Sequence, residues 1–218
     1  MKVLVSIPNY GNKNLPYLKR VIAELRTFPC EVHITIFSEA PKQIGEGVEI
    51  LLQSPGEDPT HLPFLHKRLF AERLQEFDLF IYLEDDTLFT YRNLRAFVEV
   101  TAHLPPHLLA GYLRYETDDK GNRYCSSVHS HYHWDPNSVC SYGGETFARF
   151  TNDHSACYVL TRDHLRGAIE SGGYLVGPHF GSYGILESAA TDPYTQCGFQ
   201  KVICISRLED FLIHHLPG

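Results

Sequence analysis

Three acidic residues in a row, Glu84-Asp85-Asp86, follow directly on the apolar run Leu79-Phe-Ile-Tyr-Leu. Consecutive carboxylates repel one another unless a cation or a set of hydrogen-bond donors compensates them. Mg²⁺ or Mn²⁺, held by one or two carboxylates together with substrate phosphates, is the natural compensation. The plain alternative is that Asp85 or Asp86 caps a helix beginning after Thr87. A second cluster, His129-Ser-His131-Tyr-His133-Trp134-Asp135, would place three imidazoles on one face of a strand, as zinc sites do. However, residues 118–144 are rich in Gly, Asn, Ser and Tyr and read as a loop. There Trp134, with Tyr132 and Tyr142, suits stacking on a sugar ring or an apolar acceptor.

The elements that must position these residues alternate between strand and helix signals. Val3–Ile7 is a β-branched run that stops at the turn cluster Pro8-Asn-Tyr-Gly. Leu15, Leu18, Val21, Ile22, Leu25 and Phe28 recur at helical spacing, with Asn14 as N-cap. Strands are expected at Val32–Phe37 and Val48–Leu52, then a helix marked by Leu62, Leu65, Leu69 and Leu74, then the strand that runs into Glu84. Further on come a helix around Leu94–Thr101, a strand near Leu108–Tyr115, another at Ala156–Leu160, a helix opened by Thr161, and a strand at Lys201–Ser206. This predicts an α/β fold: a Rossmann-like, mostly parallel sheet flanked by helices, with a less regular C-terminal half. Ligands of such sheets bind beyond the carboxyl ends of the strands, where Glu84-Asp85-Asp86 sits.

Composition narrows the field. The chain has 218 residues with 19 Lys+Arg against 26 Asp+Glu, a formal net charge of -7, which argues against a sequence-independent nucleic-acid binder. At 43% hydrophobic residues it can bury a sizeable core. The six Cys form no CxxC pair, and no stretch is long and apolar enough to span a bilayer, so a soluble, cytoplasmic protein with reduced thiols is expected.

Val3-Leu-Val-Ser-Ile-Pro-Asn-Tyr-Gly, the helix after it, and Phe77-Asp-Leu-Phe-Ile-Tyr-Leu-Glu-Asp-Asp together resemble nucleotide-sugar glycosyltransferases of the GT-A fold, family 2-like, with a DxD-type motif in which Glu84 stands for the first Asp. The resemblance implies one domain over residues 1–218, with about 1–110 holding the nucleotide sugar and about 111–218 the acceptor. The abrupt end after His-His-Leu-Pro-Gly is compatible with one domain of a longer polypeptide. The resemblance further implies that Asp86 binds Mn²⁺ or Mg²⁺ while Glu84 and Asp85 face the ribose or the metal's waters. Pro8 and Tyr10 then lie beside the nucleotide, Ser38 and Glu39 near the base, and Lys67 and Arg68 near the base or diphosphate, unless the last two simply form a solvated helix face. The segment Phe211-Leu-Ile-His214-His215-Leu-Pro-Gly resembles a C-terminal element whose His completes the metal shell, favouring His215 with His214 behind it. Leu186-Glu187 resembles the acid-bearing helix start of inverting members, which makes Glu187 the expected base, Asp192 its alternative and Asp153 a ligand of a donor or acceptor hydroxyl. The expected activity is hexosyl or deoxyhexosyl transfer from a UDP-type nucleotide sugar to a glycan or other hydroxyl acceptor. Two competing readings are a sugar-phosphate nucleotidyltransferase, for which the Gly-rich segment and basic pair after the first strand are lacking, and a non-catalytic carbohydrate-binding module using Trp134 and Tyr132.

Overall fold

A β-branched run with no charge after Lys2 forms β1 (Lys2–Asn9), whose residues Val3–Ile7 are buried. A computed structural model describes residues 1–54, 56–125 and 131–216. After β1 come α1 (Leu15–Leu25), β2 (Glu31–Ser38), β3 (Val48–Leu52), a 3₁₀ turn (Pro59–Phe64) running into α2 (Leu65–Glu72), and β4 (Leu79–Leu83). The expected helix across Leu62–Leu74 is thus split, because Pro63 cannot donate within a regular α-helix. β5 (Thr87–Leu88), α3 (Tyr91–Thr101) and β6 (Leu108–Ala110) follow, then β7 (Leu113–Thr117), β8 (Arg123–Tyr124), β9 (Trp134–Tyr142) and β10 (Glu145–Phe150). The chain ends with β11 (Cys157–Thr161), α4 (Arg162–Glu170), α5 (Ile185–Thr195), β12 (Gln200–Cys204) and β13 (Leu212–His215).

The main sheet has the order β11-β4-β1-β2-β3, parallel except for β11, which runs antiparallel to β4. β1 lies between β2 and β4, so successive crossovers leave it in opposite directions. That is the switch point where open α/β sheets leave a crevice for ligands. Every residue of β4 is buried, as a strand covered on both faces requires. Among the described residues two further sheets have four strands each, β6-β12-β10-β9 and β5-β13-β7-β8.

One alternative falls away and two expectations are corrected. The acids after β4 cap no helix: they lead into β5, and α3 is closed by its own capping box of Thr90 and Asn93. The presumed loop 118–144 contains β9, paired antiparallel with β10 through a tight turn in which Gly143 and Gly144 both have positive φ. The single strand expected over Leu108–Tyr115 is two strands in different sheets, β6 and β7, separated at Gly111. Among the described residues no helix is long and apolar enough to cross a membrane.

Candidate functional site

A cleft of about 320 Å³ opens at the C-terminal ends of β1 and β4. Glu84, Asp85 and Asp86 line it together with Pro8, Tyr10 and Asn14 and with the apolar Pro59, Leu62 and Pro63. Arg114 and His154 line it from the second half of the chain, and Leu186 and Glu187 face it from the first turn of α5.

The three acids differ in surroundings. Asp85 is buried and both of its oxygens are taken, Oδ2 accepting from Asn9 Nδ2 at 2.6 Å and Oδ1 from Asn14 Nδ2 at 2.7 Å. Burial pushes its carboxyl up to about 6, with Asp86 and Glu84 adding to the rise and the two amides opposing it. Asn14 stands at the N-cap position of α1 yet makes no capping hydrogen bond; its amide serves the acids instead. Glu84 is held twice by the segment before β11: its Oε1 lies 3.0 Å from His154 Nε2, and its backbone N–H donates to Ala156 O at 2.9 Å. Burial works to raise the Glu84 carboxyl, but His154, Arg114 and His215 outweigh it and hold it below its ordinary value. Asp86 accepts one hydrogen bond on Oδ2 from Asn14, at 3.3 Å.

Strand register brings His215 to this place. His215 pairs with Thr87 across β13 and β5, and Leu216 N–H donates to Asp86 O at 2.7 Å. On β7 and β13, Tyr115 lies opposite His214, so Arg114, Glu116 and His215 share the other face, toward the cleft. His215 Nε2 is 3.4 Å from Asp86 Oδ1 and its Nδ1 3.5 Å from Glu116 Oε1. Burial lowers the imidazole's affinity for a proton, and Asp86 more than reverses this, leaving His215 above its ordinary value. Ligand atoms of Glu84, Asp86 and His215 lie within 4.8 Å of one another. Asp86 Oδ1 is buried without a hydrogen bond, an arrangement that a cation would relieve. Two carboxylates and one imidazole suit Mn²⁺ or Mg²⁺.

His214 does not join this group. Its ring stacks on Tyr115 at 4.8 Å and 5°, its Nε2 lies 3.2 Å from Thr117 Oγ1, and burial pushes its pKa down. Lys67 and Asp192 are not presented to the cleft either. They form a buried ion pair between α2 and α5, and the other Asp192 oxygen lies 3.4 Å from His179 Nε2, so neither residue lines this cleft. Arg68 is exposed and paired with Glu72 one turn on, the solvated helix face that was its plain alternative. Ser38 and Glu39, at the end of β2, bond to each other, and Glu39 also accepts from Gly11 N–H and Lys42. They adjoin the turn after β1 without lining the cleft.

Trp134 sits on β9 with its ring against Phe150 and lines a separate apolar hollow with Val139 and Leu208. Asp153 is one residue from His154; its N–H donates to Tyr183 Oη, its carbonyl accepts from Lys201, and burial raises its carboxyl against the pull of Lys201 and Arg149. His129 lies outside the described residues, while His131 packs on Tyr132. Sequence reasoning missed His154, Arg114, Glu116, Asn9 and the true role of Asn14. The alternation of β7, Arg114-Tyr-Glu116, is the one signal that pairs two of them on a face.

No protein-family profile matches the sequence, and no curated protein matches it. Solved structures match in shape. One is a CMP:2-keto-3-deoxy-manno-octonic acid synthetase complexed with CTP, with a TM-score of 0.54 and 13% identity, covering 100% of this chain and 91% of that one. Another is S. aureus TarS 1–349, with a TM-score of 0.53 and 11% identity, covering 93% of this chain and 58% of that fragment. The fold is Rossmann-like, with parallel-rich sheets flanked by helices. At these identities the likeness is one of fold.

Proposed function

We propose that the chain is a divalent-cation-dependent glycosyltransferase that moves a sugar, with inversion, from a nucleoside diphosphate sugar such as a UDP-sugar to a hydroxyl acceptor. The observation that carries this reading is the meeting of Glu84, Asp86 and His215 within 4.8 Å at the switch point of the sheet, with Glu187 lining the same cleft. A cation bound there would supply charge neutralisation for the leaving diphosphate. Asp86 offers it a buried oxygen that makes no hydrogen bond, His215 Nε2 lies 3.4 Å from that oxygen, and His154 orients Glu84 beside them. Asn9 and Asn14 lock Asp85, which fixes the turn that carries both carboxylate ligands. Pro8 and Tyr10 flank the nucleotide, and the Pro59–Pro63 wall gives its base an apolar surface. Glu187 takes the proton from the acceptor hydroxyl as it attacks.

The test is nucleotide release from a panel of UDP-, GDP- and CMP-sugars with and without Mn²⁺, in the wild type and in Asp86→Ala. Release that needs Mn²⁺ and disappears in a folded Asp86→Ala protein supports the reading; undiminished release in that variant overturns it. A second reading, a sugar nucleotidyltransferase, is favoured by the synthetase likeness, which spans this whole chain. Against it, the turn after β1 holds one glycine, Gly11, and no Gly-rich run. Incubation with CTP or UTP and sugar phosphates or sugar acids separates the two, since only the nucleotidyltransferase would form pyrophosphate.

A further inference from the structure

Lys201, on β12, is only 2% exposed, and among the described residues its ammonium is held by backbone carbonyls rather than by a carboxylate ion pair. Its Nζ donates to two backbone carbonyls, Asn152 O at 3.2 Å and Asp153 O at 3.1 Å, and lies 5.9 Å from the centre of the Tyr194 ring. Burying an ammonium is expensive, and an apolar side chain of the same length would fill the space at less cost. The neighbouring chain is also cut back to admit it. A Cβ on Gly111 would come within 2.5 Å of Lys201 Cε.

The two carbonyls belong to an irregular bridge between β10 and β11, and that bridge reaches the candidate cation site. Asn152 Oδ1 accepts from His154 N–H at 3.0 Å, a local turn that directs the His154 ring to Glu84 Oε1. Two residues on, Ala156 holds a positive φ of 59° and its carbonyl receives the Glu84 N–H. A non-glycine residue in that region is strained and persists only where its surroundings over-determine it. The bridge thus touches Glu84 at two points, and the Lys201 ammonium holds the end away from Glu84.

We propose that Lys201 is a positioning residue for the cation site: its ammonium fixes the 152–156 bridge and, through His154, orients the Glu84 carboxylate. The proposal rests on the cation reading given above. Polar partners behind a ligand commonly set metal affinity by roughly 10–100-fold, because a misaligned ligand must be reordered on binding. Gly111 then serves the same end, as space for the Lys201 stem.

The test measures Mn²⁺ affinity of the free protein by electron paramagnetic resonance, with no turnover involved. Lys201→Met and His154→Phe should each weaken binding ~10-fold or more, and the double variant should be little worse than either, since both cut one chain of contacts. Amide hydrogen exchange of the metal-free protein gives a second readout: Lys201→Met should speed exchange in 152–156 and leave β1 and β2 unchanged. A folded Lys201→Met protein with wild-type Mn²⁺ affinity overturns the proposal, as does a double variant whose loss is the product of the two single losses. Should Lys201→Met fail to fold, Gly111→Ala takes its place, since it displaces the ammonium without removing it. The same weakening is expected there, and unchanged affinity would again overturn the proposal. A wild-type protein that binds no Mn²⁺ overturns the cation reading itself and this proposal with it, an outcome distinct from equal binding by wild type and variants.

Discussion

The two sheets that meet at the cleft deliver their groups by different means. The five-stranded sheet supplies Glu84, Asp85 and Asp86 as consecutive residues at the exit of β4, and neutral amides of Asn9 and Asn14 hold the middle one. The small β5-β13-β7-β8 sheet supplies His215 from the far end of the chain, placed by its pairing with Thr87 and by the bond from Leu216 N–H to Asp86 O. Its neighbours on that face, Arg114 and Glu116, are charged. One side is fixed by covalent sequence and amide hydrogen bonds, the other by strand register and ion pairing. Loss of a group on the first side should therefore be more damaging than loss on the second, where the remaining carboxylates still define the site.

The largest expected effect is Asp86→Ala, which should reduce Mn²⁺-dependent nucleotide release by ~10³-fold or more, since cation stabilisation of a leaving group is worth several kcal/mol. Glu187→Gln should slow transfer by ~10²–10⁴-fold while leaving the Kd for the donor nearly unchanged, because a lost general base affects the chemical step alone. A wild-type rate in Glu187→Gln would place the base elsewhere. His215→Ala should weaken Mn²⁺ binding, read by spin resonance, by less than Asp86→Ala does, and His214→Ala should leave it unaltered because that ring faces Tyr115 and Thr117. Equal losses in the two histidine variants would break the proposed difference between the faces of β13.

The two buried lysines extend the comparison. Lys67 has a carboxylate partner, Asp192, whereas Lys201 has carbonyls. Lys67→Met leaves Asp192 buried with its charge unpaired and should cost about 3–5 kcal/mol in urea denaturation. The Lys67→Met, Asp192→Leu double variant should recover most of that loss, since an apolar pair carries no such penalty. Lys201 should reveal itself through pH instead. Burial pulls its ammonium from 10.5 down to about 8, with Asp153 and Cys157 opposing. Between those values the unfolded chain binds more protons than the folded one, so folding stability rises with pH through this window. The rise from this one group is at most about 3 kcal/mol. It should be missing from Lys201→Met when both proteins are melted at pH 8 and pH 10; parallel curves would show that Lys201 titrates normally.

What could be read from the residues follows the same division. β1, α1, β2, β3 and β4 are legible because each carries its own apolar run or period, and the acids are legible because they are adjacent. The site's remaining members were hidden for separate reasons. His154 follows Asp153 in a segment with no regular period, and its role depends on the Lys201 clamp across the fold. Asn14 looked like a helix cap because its type and place fit one; tertiary donors to Asp85 won over the local bond. The resemblance implies a nucleotide contact at Lys67 and an alternative base at Asp192, and only packing reveals that each is the other's partner. The β9 strand was masked by Gly, Asn and Ser residues that read as loop, although its pairing with β10 needs only backbone groups and a turn that admits positive φ.

Trp134 offers the smallest expected effect and a sharp test of where the acceptor lies. It was the obvious residue for sugar stacking, being the only Trp in the chain. It lies on β9, 36% exposed, edge-on to Phe150, in a hollow shared with Pro136, Val139 and Leu208. None of those residues lines the cleft that holds Glu84, Asp86 and Glu187. Trp134→Ala should therefore leave nucleotide release and Mn²⁺ affinity unchanged, within the scatter of the assay. If instead it raises the KM for a glycan acceptor while donor hydrolysis is untouched, acceptor contacts extend from Glu187 to the β9–β10 hairpin. The smaller sheets would then contribute to substrate binding as well as to the placement of His215.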